Sequence, residues 1–286
     1  MILPGVLLVF LFSYVPMAGL VIAFQKFVPA KGFFGNQEWV GLGNFRFIFS
    51  LPGFSAAFRN TVIIAFYKIT TGILVPLTFA LLLNEVASAT IRRSIQTMIY
   101  LPYFLSWVIL GGVLIDLLSP NTGIVNQFLR FLGAKPIFFL GDNHYFRGTL
   151  IVTNLWKEFG FGTIVYLAAI MGVDQELYEA AIIDGANRWR QTWHVTLPGM
   201  SMIVVLMCVL SLGSVLNAGF DQIFNLYRPA VYETGDIIDT YVYRIGLLDA
   251  QYGPATAVGL FRSVVSFFFI STSYYLAYKF ADYRIF

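Results

Sequence analysis

The sequence predicts an all-α polytopic membrane protein with six spanning helices and one cytoplasmic helical segment between the fourth and the fifth. Composition is the first ground: 58% of the 286 residues are hydrophobic and 12% charged, against roughly 45–50% and about 25% in soluble domains. So few charges cannot coat a soluble globule of this size. The second ground is a set of six apolar runs, each near the roughly 20 residues that a helix needs to cross about 30 Å of hydrocarbon. The third is a single long stretch, residues 174–199, in which polar and apolar side chains alternate at helical spacing.

The first run, residues 2–24, has no basic residue ahead of it and no small-x-small cleavage site behind it, which fits a span better than a signal peptide. Its abrupt start is the pattern expected of a chain that lacks a native cytoplasmic tail. The other runs are residues 60–83, 95–118, 149–173, 200–220 and 256–280. An even number places both termini on one side. Three long connections, 25–59, 119–148 and 221–255, fall on one face and are rich in Gly, Pro, Asn and aromatic residues. The opposite face carries the short link 84–94, the segment 174–199 and the C-terminal tail. Arg92, Arg93, Arg188, Arg190, Lys279 and Arg284 are dense on the short-loop side, which marks it as cytoplasm, although more positive residues in total lie opposite. With no internal repeat, residues 1–286 read as one transmembrane domain.

Several functions are excluded by what is missing from the sequence. The net charge of +3 comes from scattered Lys and Arg that build no basic stripe for nucleic acid. Cys208 is the one cysteine, so no internal disulfide or thiolate cluster can form. His144 and His194 have no metal-ligand spacing. No Gly-Lys pair exists, hence no phosphate-binding loop, and the chain is expected to be neither an enzyme nor the holder of a cofactor.

In the segment 174–199, Asp174 is placed to cap a helix and Glu176 adds favourable charge in its first turn. Gly185 interrupts that helix, and Trp189, Trp193 and Leu197 recur at four-residue spacing on a second piece, which Pro198 ends. Pattern alone fits an interfacial amphipathic linker as well as a docking lever. Inside the spans, Asn154, Lys157, Glu158 and Phe161 form one stripe on the fourth, and Ser211, Ser214 and Asn217 form another on the fifth, leading to Asp221. Such groups line a path or glue helices together. Trp156, Phe161 and Tyr166 supply rings suited to pyranose faces.

Glu179-Ala180-Ala181, Asp184-Gly185-Ala186 and Leu197-Pro198, at these spacings, resemble the EAA motif of ABC importer permeases. Thr192 stands where an aromatic is common, and Val195 where Ile is usual. Trp39-Val-Gly-Leu-Gly-Asn-Phe45, Leu83-Asn-Glu85, Tyr100-Leu-Pro102, Ser119-Pro-Asn-Thr-Gly-Ile-Val-Asn126, Trp156-Lys-Glu158 and Tyr166-Leu-Ala-Ala169 extend the likeness to nearly the whole chain. They are similar to the maltose-type sugar branch, and within it to LplB-like permeases for oligosaccharides and polysaccharide fragments.

The resemblance implies a type I importer permease in a bacterial cytoplasmic membrane, with both termini cytoplasmic. Residues 174–199 become the coupling helix, seated in a cleft of a separate ATPase that holds ATP and Mg2+. Leu177, Ala181 and Trp189 are the expected knobs, and Glu179 the partner of an ATPase arginine. The expected assembly has a second related permease, two copies of the ATPase, a solute-binding protein and surrounding lipid. Trp39, Phe45 and Tyr243 are expected on the outer surface facing that binding protein. Because the family lines its sugar cavity with the spans flanking the coupling helix, the two stripes are favoured over Asp116, Lys68 and Arg262. If Lys157, Lys68 or Arg262 does line the path, a uronate-containing oligosaccharide is the expected cargo. An ion-coupled secondary sugar transporter would carry similar stripes, and peptide or amino-acid permeases share the short motif, but the flanking matches point to sugars.

Overall fold

A computed structural model describes residues 2–33, 35–213 and 215–281, with only the backbone at 276, 277, 280 and 281. α1 (Leu3–Phe24) leads through a short antiparallel pair, β1 (Gln25–Lys26) and β2 (Glu38–Trp39), to α2 (Gly43–Ser50) and the 33-residue α3 (Pro52–Asn84). α4 (Ala89–Phe104), α5 (Trp107–Leu117), α6 (Ile124–Phe131) and the 29-residue α7 (Asn143–Met171) follow. Next come α8 (Gln175–Ile183), α9 (Arg188–Gly199), α10 (Ser201–Gly213), α11 (Phe220–Leu226), α12 (Tyr232–Gly235), α13 (Ile238–Tyr243) and α14 (Tyr252–Ala281).

Among the described residues, three helices, α1, α3 and one stretch of α14, are long and apolar enough to cross a membrane unbroken. Two bent pairs, α4 with α5 and α9 with α10, raise the number to five. α7 is also long enough, at about 43 Å, but Lys157 and Glu158 dilute its apolar character.

The third span is therefore not the straight helix the sequence predicts. It turns by 103° between α4 and α5. Pro102 has no N–H to give the helix ladder, the last turn of α4 tightens to a 3-10 form, and Leu105 leaves the helical region. Ser106 then starts α5 afresh, its hydroxyl accepting the Ile109 N–H at 3.3 Å. The predicted fifth span, 200–220, is likewise shortened: α10 ends at Gly213, and the chain turns at Gly219 (φ +93°) before α11. Pro198 does not end α9, which runs one residue further and bends by 59° into α10.

α7 runs through the middle of the fold. A Cβ on Gly160 would lie 2.1 Å from the Ile99 carbonyl oxygen, and one on Gly162 would lie 3.0 Å from the Pro76 ring. These two glycines let α4 and α3 close onto α7. Much of the connection 221–255, expected on the outer face, instead folds back into the core as residues 220–248. Ile223, Leu226, Val231, Ile237 and Ile238 are buried, most of them packed with Ile64, Leu110, Phe146, Leu150 and Leu216. Tyr243 is half-buried against Phe224 rather than displayed, whereas Trp39 is exposed.

Asn60 pins this returning chain. Its Nδ2 donates to the carbonyls of Glu233 and Asp236, both at 3.0 Å, and its Oδ1 accepts from Arg147 at 2.6 Å. Two of the family-like motifs also have structural roles. Asn44 donates to the carbonyls of Ala23 and Gln25 at the end of α1. Buried Asn126 donates to Leu118, Ser119 and Ile137 carbonyls and accepts the Ile137 N–H.

Candidate functional site

The segment joining α7 to α10 is two short helices, as the sequence predicts. The Asp174 carboxylate accepts the Glu176 N–H at 3.0 Å and opens α8. At the other end the Ala186 N–H reaches the Ala181 carbonyl (2.8 Å) and the Gly185 N–H the Ile182 carbonyl (3.0 Å). That pattern closes a helix with a left-handed residue, and Gly185 has φ +74°. Asn187, a cap the motif reading missed, accepts the Arg190 N–H at 2.9 Å and starts α9.

Glu179, Ala180 and Asp184 are exposed, Ala181 and Ala186 are partly buried, and Pro198 is exposed. The largest apolar exposure falls on Ile183 (86%), with Ile182 and Leu177 also exposed on α8. Ile182 and Ile183 escaped the sequence reading because they sit in the gap between the Ala pair and Asp-Gly-Ala. Trp189 is 70% exposed, but it and Trp193 line a hollow of about 360 Å³ against Leu77, Leu81 and Leu82 of α3. Leu197 borders the same hollow. Arg188 and Glu85, at the end of α3, form an ion pair at 2.7 Å across the same hollow. The segment thus continues into α7 at one end, α10 at the other, and is tied to α3 from the side.

The polar stripe of α7 is divided rather than shared. Lys157 is buried at the break in the third span, where its ammonium donates to the Tyr103 carbonyl at 2.9 Å and pairs with Glu158 at 3.3 Å. It also lies over the rings of Tyr103 and Trp107, on either side of that break. Phe161 stacks on Tyr103 at 4.7 Å, Asn154 is partly buried and Trp156 is nearly half exposed. Tyr166 is fully buried between spans, so it offers no face to a sugar.

Lys68 repeats the arrangement at the other break, donating to the Ala218 carbonyl at 2.7 Å and to Gln222 Oε1. Gln222 passes the link on to Leu150 and Thr153 of α7. A helix break in hydrocarbon frees carbonyls that need donors, and each lysine supplies one.

On the fifth span Ser211 is partly buried, Ser214 lies outside the described residues, and Asn217 is exposed. Asn217 borders a cavity of about 690 Å³ together with Phe220, Asp239, Tyr243, Tyr252 and Arg262. There Arg262 Nη1 donates to Asp239 Oδ1. Nearby, Arg244 pairs with buried Asp236 at 2.5 Å and lies over the Tyr232 ring. Burial, with Tyr232 and Asp236 close by, pushes the Tyr227 hydroxyl up to about 12.

A family model described as "binding-protein-dependent transport system inner membrane component" matches residues 69–282. Protein LplB of Bacillus subtilis (strain 168) is 42% identical over 280 residues, covering 98% of this chain and 88% of that protein. The polygalacturonan/rhamnogalacturonan transport system permease protein YteP of the same strain is 42% identical over 282 residues, covering 99% and 88%. Among solved structures, a bacterial ABC transporter involved in the import of the acidic polysaccharide alginate matches with a TM-score of 0.92 at 39% identity, over 98% of this chain and 94% of that one. A complex of the bacterial alginate ABC transporter with an alginate pentasaccharide-bound periplasmic protein matches at 0.90 and 38%, over 98% and 93%.

Proposed function

Because the chain belongs to the binding-protein-dependent transport system inner membrane components and is the permease of an ABC-type sugar importer, we propose that residues 174–199 are its drive point and that its cargo is an acidic oligosaccharide. The observation that carries the drive point is the exposed two-piece helix, rigidly capped at Asp174, Gly185 and Asn187, with Ile183, Leu177 and Glu179 facing outward. In a monomer such apolar exposure is costly, and it fits the cleft of a partner.

A separate ATPase binds ATP and Mg2+, hydrolyses the nucleotide and moves this segment. Motion then reaches α7 and α10 through the chain and α3 through Arg188–Glu85. The spans alternate between inward-open and outward-open states. The short-loop face, with both termini, lies in the cytoplasm. A second related permease completes the pathway, and a solute-binding protein delivers sugar to the opposite face; the alginate transporter is itself found in complex with an alginate pentasaccharide-bound periplasmic protein.

The acidic cargo is supported by one relative named for polygalacturonan/rhamnogalacturonan transport and one involved in the import of the acidic polysaccharide alginate. Neither an ion-coupled carrier nor a peptide permease finds support among these relatives. The test is to purify the complex and ask whether an ATPase comes with it. Ile183→Asp should weaken that association by about tenfold or more, as loss of a central apolar contact does, and uptake should vanish when the ATPase's phosphate-binding lysine is replaced. Undiminished association of the Ile183→Asp variant with the ATPase would sink the drive-point reading, and uptake that persists without the ATPase lysine would sink ATP-driven transport.

A further inference from the structure

Lys68, Lys157 and Arg262 each sit within a span, and they are not equivalent. Both lysines are committed to carbonyls at helix breaks. Arg262 instead borders the cavity of about 690 Å³, with its side chain 30% exposed and that of its partner Asp239 16% exposed. A charge placed in a span and open to a cavity marks a functional site more strongly than one sealed into backbone.

We propose that this cavity is a subsite for one uronate unit of the transported oligosaccharide, with Arg262 as the carboxylate receptor; the proposal rests on the acidic-cargo reading above. Arg262 lies ten residues into α14 from Tyr252, about 15 Å along the helix. Leu20, four residues from the outer end of α1, borders the same space, as does Asn217 beyond α10. The cavity thus opens toward the long-loop face, where a binding protein would release sugar.

The chemistry fits a sugar acid. A guanidinium carries five donors in a planar fork that matches a carboxylate, and the described contact with Asp239 engages Nη1. Asp239 keeps Arg262 neutralised while the site is empty, and the rest of the fork serves the sugar carboxylate. Tyr243, Phe220 and Tyr252 bring rings to the cavity wall, and Asn217 and Thr256 bring hydrogen-bonding groups for hydroxyls. The volume is within the roughly 300–1,000 Å³ usual for small-ligand sites.

The two members of the ion pair should respond in opposite directions. With the assembled importer in nanodiscs, binding of trigalacturonate should fall about tenfold or more in Arg262→Gln, the loss expected for a charge-assisted contact. Arg262→Lys should restore part of it. Asp239→Asn should raise it, because the competing carboxylate is gone. Binding of the trigalacturonate methyl ester, which has the same shape without the charge, should not change in either. Parallel losses for both sugars in both variants would make the pair a structural clamp and overturn the proposal. A wild-type importer that carries neutral trisaccharides but not trigalacturonate would overturn the acidic-cargo reading itself, and this subsite with it.

Discussion

The segments 174–199 and 220–248 both interrupt the apolar runs, both contain short helices, and both mix polar with apolar residues, yet they end in opposite environments. The first leaves Ile183, Ile182, Leu177 and Trp189 exposed. The second buries Ile223, Leu226, Ile237 and Ile238 and answers its own carbonyls with Asn60 and Arg147. The mere mixture of polar and apolar residues does not separate them. The difference lies in who supplies the complementary surface: α3, α5 and α7 of the same chain for the second, and, on the function proposed above, a partner for the first. An interface waiting for a partner keeps its apolar knobs outside and its backbone internally capped, whereas a structural return has its polar groups met from within.

That contrast breaks if changes in the exposed segment destabilise the protein or changes in the buried one spare it. The largest effect is expected at Gly185. A Cβ there meets nothing within 4 Å, so space is not the issue, but φ is +74°, a conformation that costs other residues about 1–2 kcal/mol and β-branched ones more. Gly185→Val should abolish uptake and transport-linked ATP hydrolysis while the spans melt as in wild type. Gly185→Asn, which tolerates the left-handed region, should keep most activity. Full uptake by the Val variant would show that the bend is not needed for coupling.

Asn60→Ala should do the reverse. It strands two carbonyls and removes the Arg147 acceptor in a fully buried site, so a denaturation titration should show a loss of about 2–4 kcal/mol. Remaining folded protein should still bind the ATPase. A loss below about 0.5 kcal/mol, the scale of ordinary surface changes, would mean that the return segment is held by apolar packing alone.

The smallest effect sharpens the link between coupling segment and α3. Arg188 and Glu85 are both exposed, and such pairs contribute about 0.2–1 kcal/mol. Glu85→Gln should lower stability by no more than about 1 kcal/mol. In a double-mutant cycle with Arg188→Gln, uptake should show a coupling of similar size. Additive effects on uptake would remove the pair from the drive path.

Much of this molecule was legible in the chain itself. Composition and run length gave the membrane-crossing character, Asp174 and Gly185 gave the ends of α8, and the pattern of residues 174–199 gave its two-piece helix, because these features act within a few residues of backbone. The bends were harder to read. Pro102 and Ser106 are a break signal, yet the surrounding run 95–118 is apolar enough to read as one span. The fate of the span cations was not legible at all. Helical spacing put Lys157 and Phe161 on one stripe, but it could not say that Lys157 would reach a carbonyl 54 residues away or Lys68 one 150 residues away. Periodicity defines faces and leaves open what each face meets. Sequence by itself determined that this chain crosses a membrane and that residues 174–199 form a two-piece helix. Tertiary structure decided which charges are spent on broken helices and which, at Arg262, remains beside a cavity, since satisfying a freed carbonyl depends on distant residues meeting in space.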